Sequence, residues 1–398
     1  MSEKKKYRVA LIGFSTGISG GVRLTLNYAL ALQKRGHEVE LFVPAQDPSQ
    51  CFPAYLDGSL KVHFYKKVVP LNILGFFRMF FAYLHVFLKC LWVLLSFPRF
   101  DVFIVEEENI TLLFLWLFRH KTIFYCHLPH KTRFAYYNIL HRIYRLWGDT
   151  LEELSMISAQ CIQVNSRYTQ SIFIENFPLA RRAGVIPEVL YPPVDFALLD
   201  REGVERSRFP PRYFVSLNRI QCHKKFELAI EAFQLYLRQT GDTQTQLIIA
   251  GAIEETDSIA QKYLVILKNL VAGEELNKRV VFMLNLTDAE CVTLTINAIA
   301  MMYMPSGEPF GIVPVEAMYL RTPVLARDNG GPRESVVDGE TGFLLSETAE
   351  PWAMKMRELA EDPRRRDQMG EAGRRHVMTR FGLDTFADQV DKTMYRIL

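Results

Sequence analysis

The sequence predicts an α/β protein of the doubly wound kind, with two Rossmann-like domains facing a central cleft. Three observations carry this expectation. A β-loop-α-β order opens the chain, a proline-rich stretch interrupts it near the middle, and the same order then restarts. With 398 residues, 49% of them hydrophobic, the chain has enough apolar material for a large core and should split into about two domains.

Residues 8–14 read as a buried strand, followed by a turn carrying Gly13, Gly17, Gly20 and Gly21. An amphipathic helix then spans 22–35 and stops at Gly36. Residues 39–43 form the next strand, and 102–105, 123–126 and 161–164 continue a parallel sheet with right-handed crossovers. Residues 184–211, with Pro187, Pro192, Pro193, Pro210 and Pro211, read as the connector. Beyond it, strands are expected at 213–217, 246–250, 280–283, 301–304 and 324–326, with a helix at 226–239. The domains are expected at 1–195 and 196–375, with a C-terminal helix over 376–398 packing back on the first. Ligands of this architecture sit at the carboxyl ends of the strands.

Charge narrows the partners. There are 47 Lys plus Arg against 44 Asp plus Glu, and no long basic run beyond residues 4–6, so no field singles out nucleic acid. The cysteines at 51, 90, 126, 161, 222 and 291 stand singly without CxxC spacing, which argues for reduced thiols over a zinc site or a disulfide framework. The first residues lack the order of a secretory signal, so export by that route is not expected.

The longest apolar stretch is 68–97, which includes Phe76, Phe77, Phe80 and Phe81. Arg78, His85 and Lys89 interrupt it and share a narrow arc of one helical face. Each cation near the middle of a spanning helix would cost about 2.5 to 3.5 kcal/mol, so a helix lying in the membrane plane fits better than one crossing it. A core helix is the alternative. A second run, 110–118, is too short to span.

The chemistry-bearing residues follow strands. Gly13 to Arg23 lies where a phosphate loop would, although its spacing is not G-x-G-x-x-G, and glycines there also serve as plain turn residues. No acidic residue ends the second strand, which weighs against NAD. After the first strand of the second half come Arg219 and Lys224, two cations suited to a diphosphate, although a solvated basic turn would look the same. Glu308 and Glu316 flank Phe310, Gly311, Ile312 and Val313, and paired carboxylates at a strand-to-helix corner are placed to meet sugar hydroxyls or a developing cation.

These residues resemble the retaining, GT-B-fold glycosyltransferases of family 4. The segment from Glu308 to Met318, the Arg219/Lys224 pair, Gly20-Gly21 and Asn329-Gly-Gly-Pro-Arg-Glu carry the resemblance. Phe124-Tyr-Cys-His-Leu-Pro, Val164-Asn-Ser and Tyr191-Pro-Pro narrow it to the eukaryotic dolichol-pathway α-1,3/1,6-mannosyltransferases, over nearly the whole chain.

The resemblance implies a role for each position. Glu308 would face the donor sugar, and Glu316 would hold the nucleoside ribose. Arg219 and Lys224 would bind the diphosphate of GDP-mannose, with Phe310, Gly311, Ile312 and Val313 completing the donor site. Gly20 and Gly21 would form an acceptor and diphosphate loop, and His127 would help orient the donor sugar. No cofactor and no metal would be required. The acceptor would be a dolichol-linked oligosaccharide, at the cytosolic face of the endoplasmic reticulum membrane, with a complex of pathway enzymes as a further partner. Arg78, Lys89, Phe76, Phe77, Phe80 and Phe81 would meet the membrane surface. Val22-Arg23 and His130 depart from the family pattern. A family-4 transferase with another nucleotide sugar or lipid acceptor, and a silent membrane scaffold, are the alternatives.

Overall fold

The computed structural model describes residues 5–16, 20–45, 51–66, 78–97, 99–132, 139–200, 204–254 and 256–398. The chain forms two compact units. One comprises Met1–Pro193 with Leu383–Leu398, the other Val194–Gly382.

Among the described residues, the first unit holds a seven-stranded parallel sheet. Its strands are β1 (Arg8–Ile12), β2 (Glu38–Pro44), β3 (Lys61–Tyr65), β4 (Val102–Glu106), β5 (Thr122–Cys126), β6 (Cys161–Val164) and β7 (Glu188–Val189). They run in the order β3-β2-β1-β4-β5-β6-β7. Apolar runs such as Val-Phe-Ile-Val in β4 are buried on both faces, as a sheet covered by helices on each side requires. One face packs on the helices Gly20–Lys34 and Leu383–Ile397, through Val22, Leu26, Phe386 and Val390. The other packs on residues such as Val93, Leu112, Met156 and Phe173.

The second unit repeats the plan with β8 (Tyr213–Leu217), β9 (Gln246–Gly251), β10 (Val280–Leu284), β11 (Met301–Tyr303), β12 (Val324–Arg327) and β13 (Gly342–Leu345). The order is β10-β9-β8-β11-β12-β13, all parallel. The strand order therefore reverses at β1/β4 in one unit and at β8/β11 in the other. Those reversals open the crevice in which such sheets bind ligands.

Several expectations are corrected. The first helix starts at Gly20, so Gly20 and Gly21 form its first turn and not a preceding loop. The units divide after Pro193, and only Leu383–Leu398 returns to the first; residues 376–380 belong to the helix Pro363–Arg380 of the second. His37 Nε2 and Asp391 Oδ1, 2.6 Å apart and both buried, pin the returning helix. β3, β7 and β13 were not anticipated. β3 is a half-exposed edge strand and β7 has two residues, so neither carries a strong apolar signal.

The helix Arg78–Ser96 occupies the later part of the apolar stretch. Phe76, Phe77 and the Arg78 side chain lie outside the described residues. Phe80 is exposed, whereas Phe81 is buried. The expected polar arc does not face outward: Lys89 is buried against Glu108, and His85 is buried as well. A buried ammonium needs a partner, and Glu108 supplies one that water or lipid phosphate would otherwise provide.

Candidate active site

In the second unit, β8 ends in a turn that carries Arg219 and Lys224, and Lys225 after it adopts a left-handed φ of 56°. Holding a non-glycine residue there costs of order 1 kcal/mol or more, which the packed turn must offset. Lys224 is buried, and its Nζ donates to Glu308 Oε2 at 2.6 Å. Arg219 is exposed, with no ion pair among the described residues. The sequence motifs are therefore brought together across the β8/β11 reversal, and the predicted phosphate and sugar residues form one ion pair.

The Glu308 loop is braced by the segment after β12. Asn329 Oδ1 accepts from the Gly307 amide at 2.9 Å, and the Gly331 amide donates to the Glu308 carbonyl at 2.9 Å. A Cβ on Gly331 would lie 2.3 Å from the Phe310 Cα, so this approach requires glycine. Tyr303 is buried, and burial, with the charge of Glu308, raises its pKa well above the usual phenol value. Gly311, at φ 81°, caps the helix Ile312–Tyr319, whose first amides belong to Ile312 and Val313. Free amides of a first turn favour an anion. Glu316, half-buried, lies one turn further on. The Phe310 ring is buried, 5.7 Å from that of Phe381.

In the first unit, β4 and β5 deliver an acid and a base. His127, just past β5, has Nε2 2.5 Å from Oε1 of Glu106, the last residue of β4. Burial raises the Glu106 pKa, opposed by its hydrogen bond and charge interaction with His127. The His127 amide donates to Glu107 Oε1 at 3.3 Å, and Asn165 Nδ2 donates to its carbonyl at 3.1 Å. Glu107 adopts a left-handed φ of 61°. A Cβ on Gly21 would lie 3.2 Å from the Phe14 ring and 3.5 Å from His127 Nε2, so the helix start and the imidazole are neighbours.

Glu106 and Glu107 were missed from the sequence. Three glutamates in a row, at and just past the end of a strand at a reversal point, were the available signal. His130, expected to depart from the resemblance, meets acids from two other segments. The His130 amide donates to Glu152 at 2.8 Å, and its ring lies 3.5 Å from Glu107. Arg23 lies over the Phe52 ring at 5.5 Å. Among the described residues, no three His, Cys, Asp or Glu side chains gather as a metal-binding group.

A family model described as glycosyl transferases group 1 matches residues 203–376, and one for glycosyltransferase family 4 matches 18–194. Among solved structures, a sucrose-phosphate synthase from Thermosynechococcus elongatus is similar at a TM-score of 0.75 and 20% identity, covering 98% of each chain. Anabaena HepE in complex with UDP and glucose is similar at 0.73 and 18%, covering 98% of this chain and all of that one. The fold and the matched domains are those of a GT-B glycosyltransferase.

Relatives narrow the class. The α-1,3/1,6-mannosyltransferase ALG2 of Rhizomucor pusillus is 32% identical over 99% of this chain and 92% of its own length. The Homo sapiens protein of that name is 32% identical over 96% and 94%, and the Dictyostelium discoideum one 28% over the whole of both. The chain belongs to the ALG2 family of α-1,3/1,6-mannosyltransferases.

Proposed function

We propose that this protein moves mannose from GDP-mannose, with retention of the α configuration, to a dolichyl-diphosphate-linked oligosaccharide, making the α-1,3 and α-1,6 additions to Man-GlcNAc2. The observation that carries the reading is the Lys224–Glu308 pair at the β8/β11 reversal, with exposed Arg219 on the same turn. Arg219 and Lys224 take the charge of the diphosphate. As Lys224 turns to phosphate, Glu308 is freed toward the sugar, where a fixed carboxylate stabilises positive charge at the anomeric carbon. The bond to diphosphate breaks with its electron pair leaving on GDP, and the acceptor hydroxyl oxygen bonds to the same carbon and releases its proton.

Glu316 is assigned to the ribose. The backbone of Phe310, Gly311, Ile312 and Val313 is assigned to the donor, Gly20 and Gly21 to the acceptor diphosphate, and His127 to the sugar in transfer. The two cations do the work of leaving-group stabilisation, so transfer is expected to survive a chelator.

The reading extends to the cytosolic face of the endoplasmic reticulum membrane. In support, exposed Phe80, Leu146 and Trp147 lie on helices of the first unit, with Trp116, Leu117 and Phe118 at the end of another. No described helix is long and apolar enough to cross a membrane. The proposed contact lies in the membrane plane. Serine at Phe80, Leu146 and Trp147 should release the protein from liposomes while GDP binding is kept.

The deciding experiment incubates pure protein with GDP-mannose and lipid-linked Man-GlcNAc2 and maps the product linkages. New α-1,3 and α-1,6 mannose is expected. Transfer from a UDP-sugar alone, or from no donor, would overturn the reading.

A further inference from the structure

A cavity of about 380 Å³ lies in the first unit, beyond the carboxyl ends of its strands. Its walls come from the helices Arg78–Ser96 and Ile139–Ser158, the segment after β4, and the ends of β2 and β3. None of the roles assigned above uses it.

His85 is the most informative lining residue. It is buried, 7% exposed, and among the described residues neither ring nitrogen has a hydrogen-bond partner. A buried imidazole offers one donor and one acceptor when neutral, and leaving both unmet is unfavourable unless a ligand meets them. The surrounding charges are already matched. Lys89 pairs with Glu108, and Arg145 Nη2 donates to Asp149 at 2.8 Å. Among the described residues, the lysine and the arginine of the lining therefore each already face a carboxylate. The lining has acidic side chains, including buried Glu152, whose oxygens accept the His130 and Lys131 amides and whose pKa burial pushes up to about 7. It also has the rings of Phe14, Tyr65 and Tyr83. Hydrogen-bonding groups combined with aromatic faces suit a neutral, hydroxyl-rich ring, and the volume falls within the range of small-ligand sites.

Two lining residues also border the Gly21 and His127 region. Phe14 lines it and lies within contact distance of Gly21, and Glu107 lines it while accepting the His127 amide proton.

We infer that this cavity holds the neutral saccharide of the acceptor, and that His85 is a specificity-determining residue for it. The inference rests on the lipid-linked acceptor proposed above. A polyprenyl chain would want walls free of unmet polar groups, and this lining is not so built.

The test measures steady-state kinetics for wild type, His85→Leu and His85→Gln with GDP-mannose and lipid-linked Man-GlcNAc2, with GDP affinity by calorimetry on each. His85→Leu should raise the acceptor KM at least about tenfold, while GDP affinity and the KM for GDP-mannose stay within about twofold. His85→Gln, which keeps a donor and an acceptor, should recover part of the loss. Ala82, an exposed lining position, supplies a second variant that a fold defect does not confound. Ala82→Trp narrows the cavity and should raise the same KM.

An unchanged acceptor KM in both His85→Leu and Ala82→Trp would overturn the inference while wild-type transfer upheld the acceptor. No wild-type transfer to any lipid-linked saccharide would instead overturn the acceptor reading beneath it. A loss seen with long-chain lipid acceptors and absent with short-chain ones would assign the cavity to the lipid and also overturn the inference.

Discussion

The two units share a strand order and differ in what they hang on it. In each, residues just past the strands at the reversal of the sheet carry the chemistry, and in each a non-glycine residue there is left-handed, Glu107 in one and Lys225 in the other. The first unit's turn is acidic, with Glu106, Glu107 and Glu108 beside one histidine. The second unit's turn is basic, with Arg219 and Lys224 facing one glutamate. The shared backbone plan places the two turns alike, and their opposite charge underlies the proposed division: the donor diphosphate at the basic turn of the second unit, and the acceptor saccharide beside the acidic turn of the first.

The comparison breaks most visibly at Glu308. Glu308→Gln removes the carboxylate charge in place, so transfer should fall at least about 100-fold, roughly 2.7 kcal/mol of transition-state stabilisation. GDP should bind as tightly or more tightly, because Lys224 no longer faces a competing anion. Turnover and calorimetry on one preparation check both.

Glu106 sharpens the first unit's side. On the proposed role of His127, Glu106 acts through it as a positioning residue, so Glu106→Gln should lower kcat about tenfold and leave GDP affinity unchanged. A matching loss of GDP affinity would point to misfolding.

Arg219 is exposed, and a charged contact there is partly screened by water. Arg219→Ala should weaken GDP by about three- to tenfold and leave guanosine, which lacks phosphates, unaffected, with the loss growing smaller at high salt.

Glu152 gives an effect that is read in stability. Its pKa is raised to about 7, so between the ordinary carboxylate range and pH 7 the folded state holds a proton that the unfolded state has lost. Stability from this group is present at acid pH and lost as pH rises through about 7. Glu152→Gln should flatten that dependence, by about 1 to 3 kcal/mol between acid and neutral pH, in denaturation curves at the two ends.

Much of this was legible in the sequence, for physical reasons. Strands of a parallel sheet are apolar throughout, so β1, β4, β8 and β12 read directly from their runs, and Glu308 and Lys224 stood out because they follow such strands. Edge strands with mixed faces, such as β3, carry no comparable signal. The ion pair between Lys224 and Glu308 was not legible either: 84 positions separate them, and only the parallel sheet brings β8 beside β11. The helix Arg78–Ser96 misled for a related reason. Its periodicity showed that Lys89 and His85 share a face, but periodicity does not say whether that face meets lipid or a neighbouring glutamate, and Glu108 comes from a segment 19 residues away.

The most direct measurement is GDP calorimetry on wild type, Lys224→Ala and Glu106→Gln, side by side. Lys224→Ala removes the buried cation proposed to meet the diphosphate and should weaken GDP at least about tenfold, roughly 1.4 kcal/mol. Glu106→Gln, in the other unit, should bind GDP as wild type does. If Lys224→Ala binds GDP unchanged, or Glu106→Gln loses as much affinity, the division of labour between the two turns is wrong.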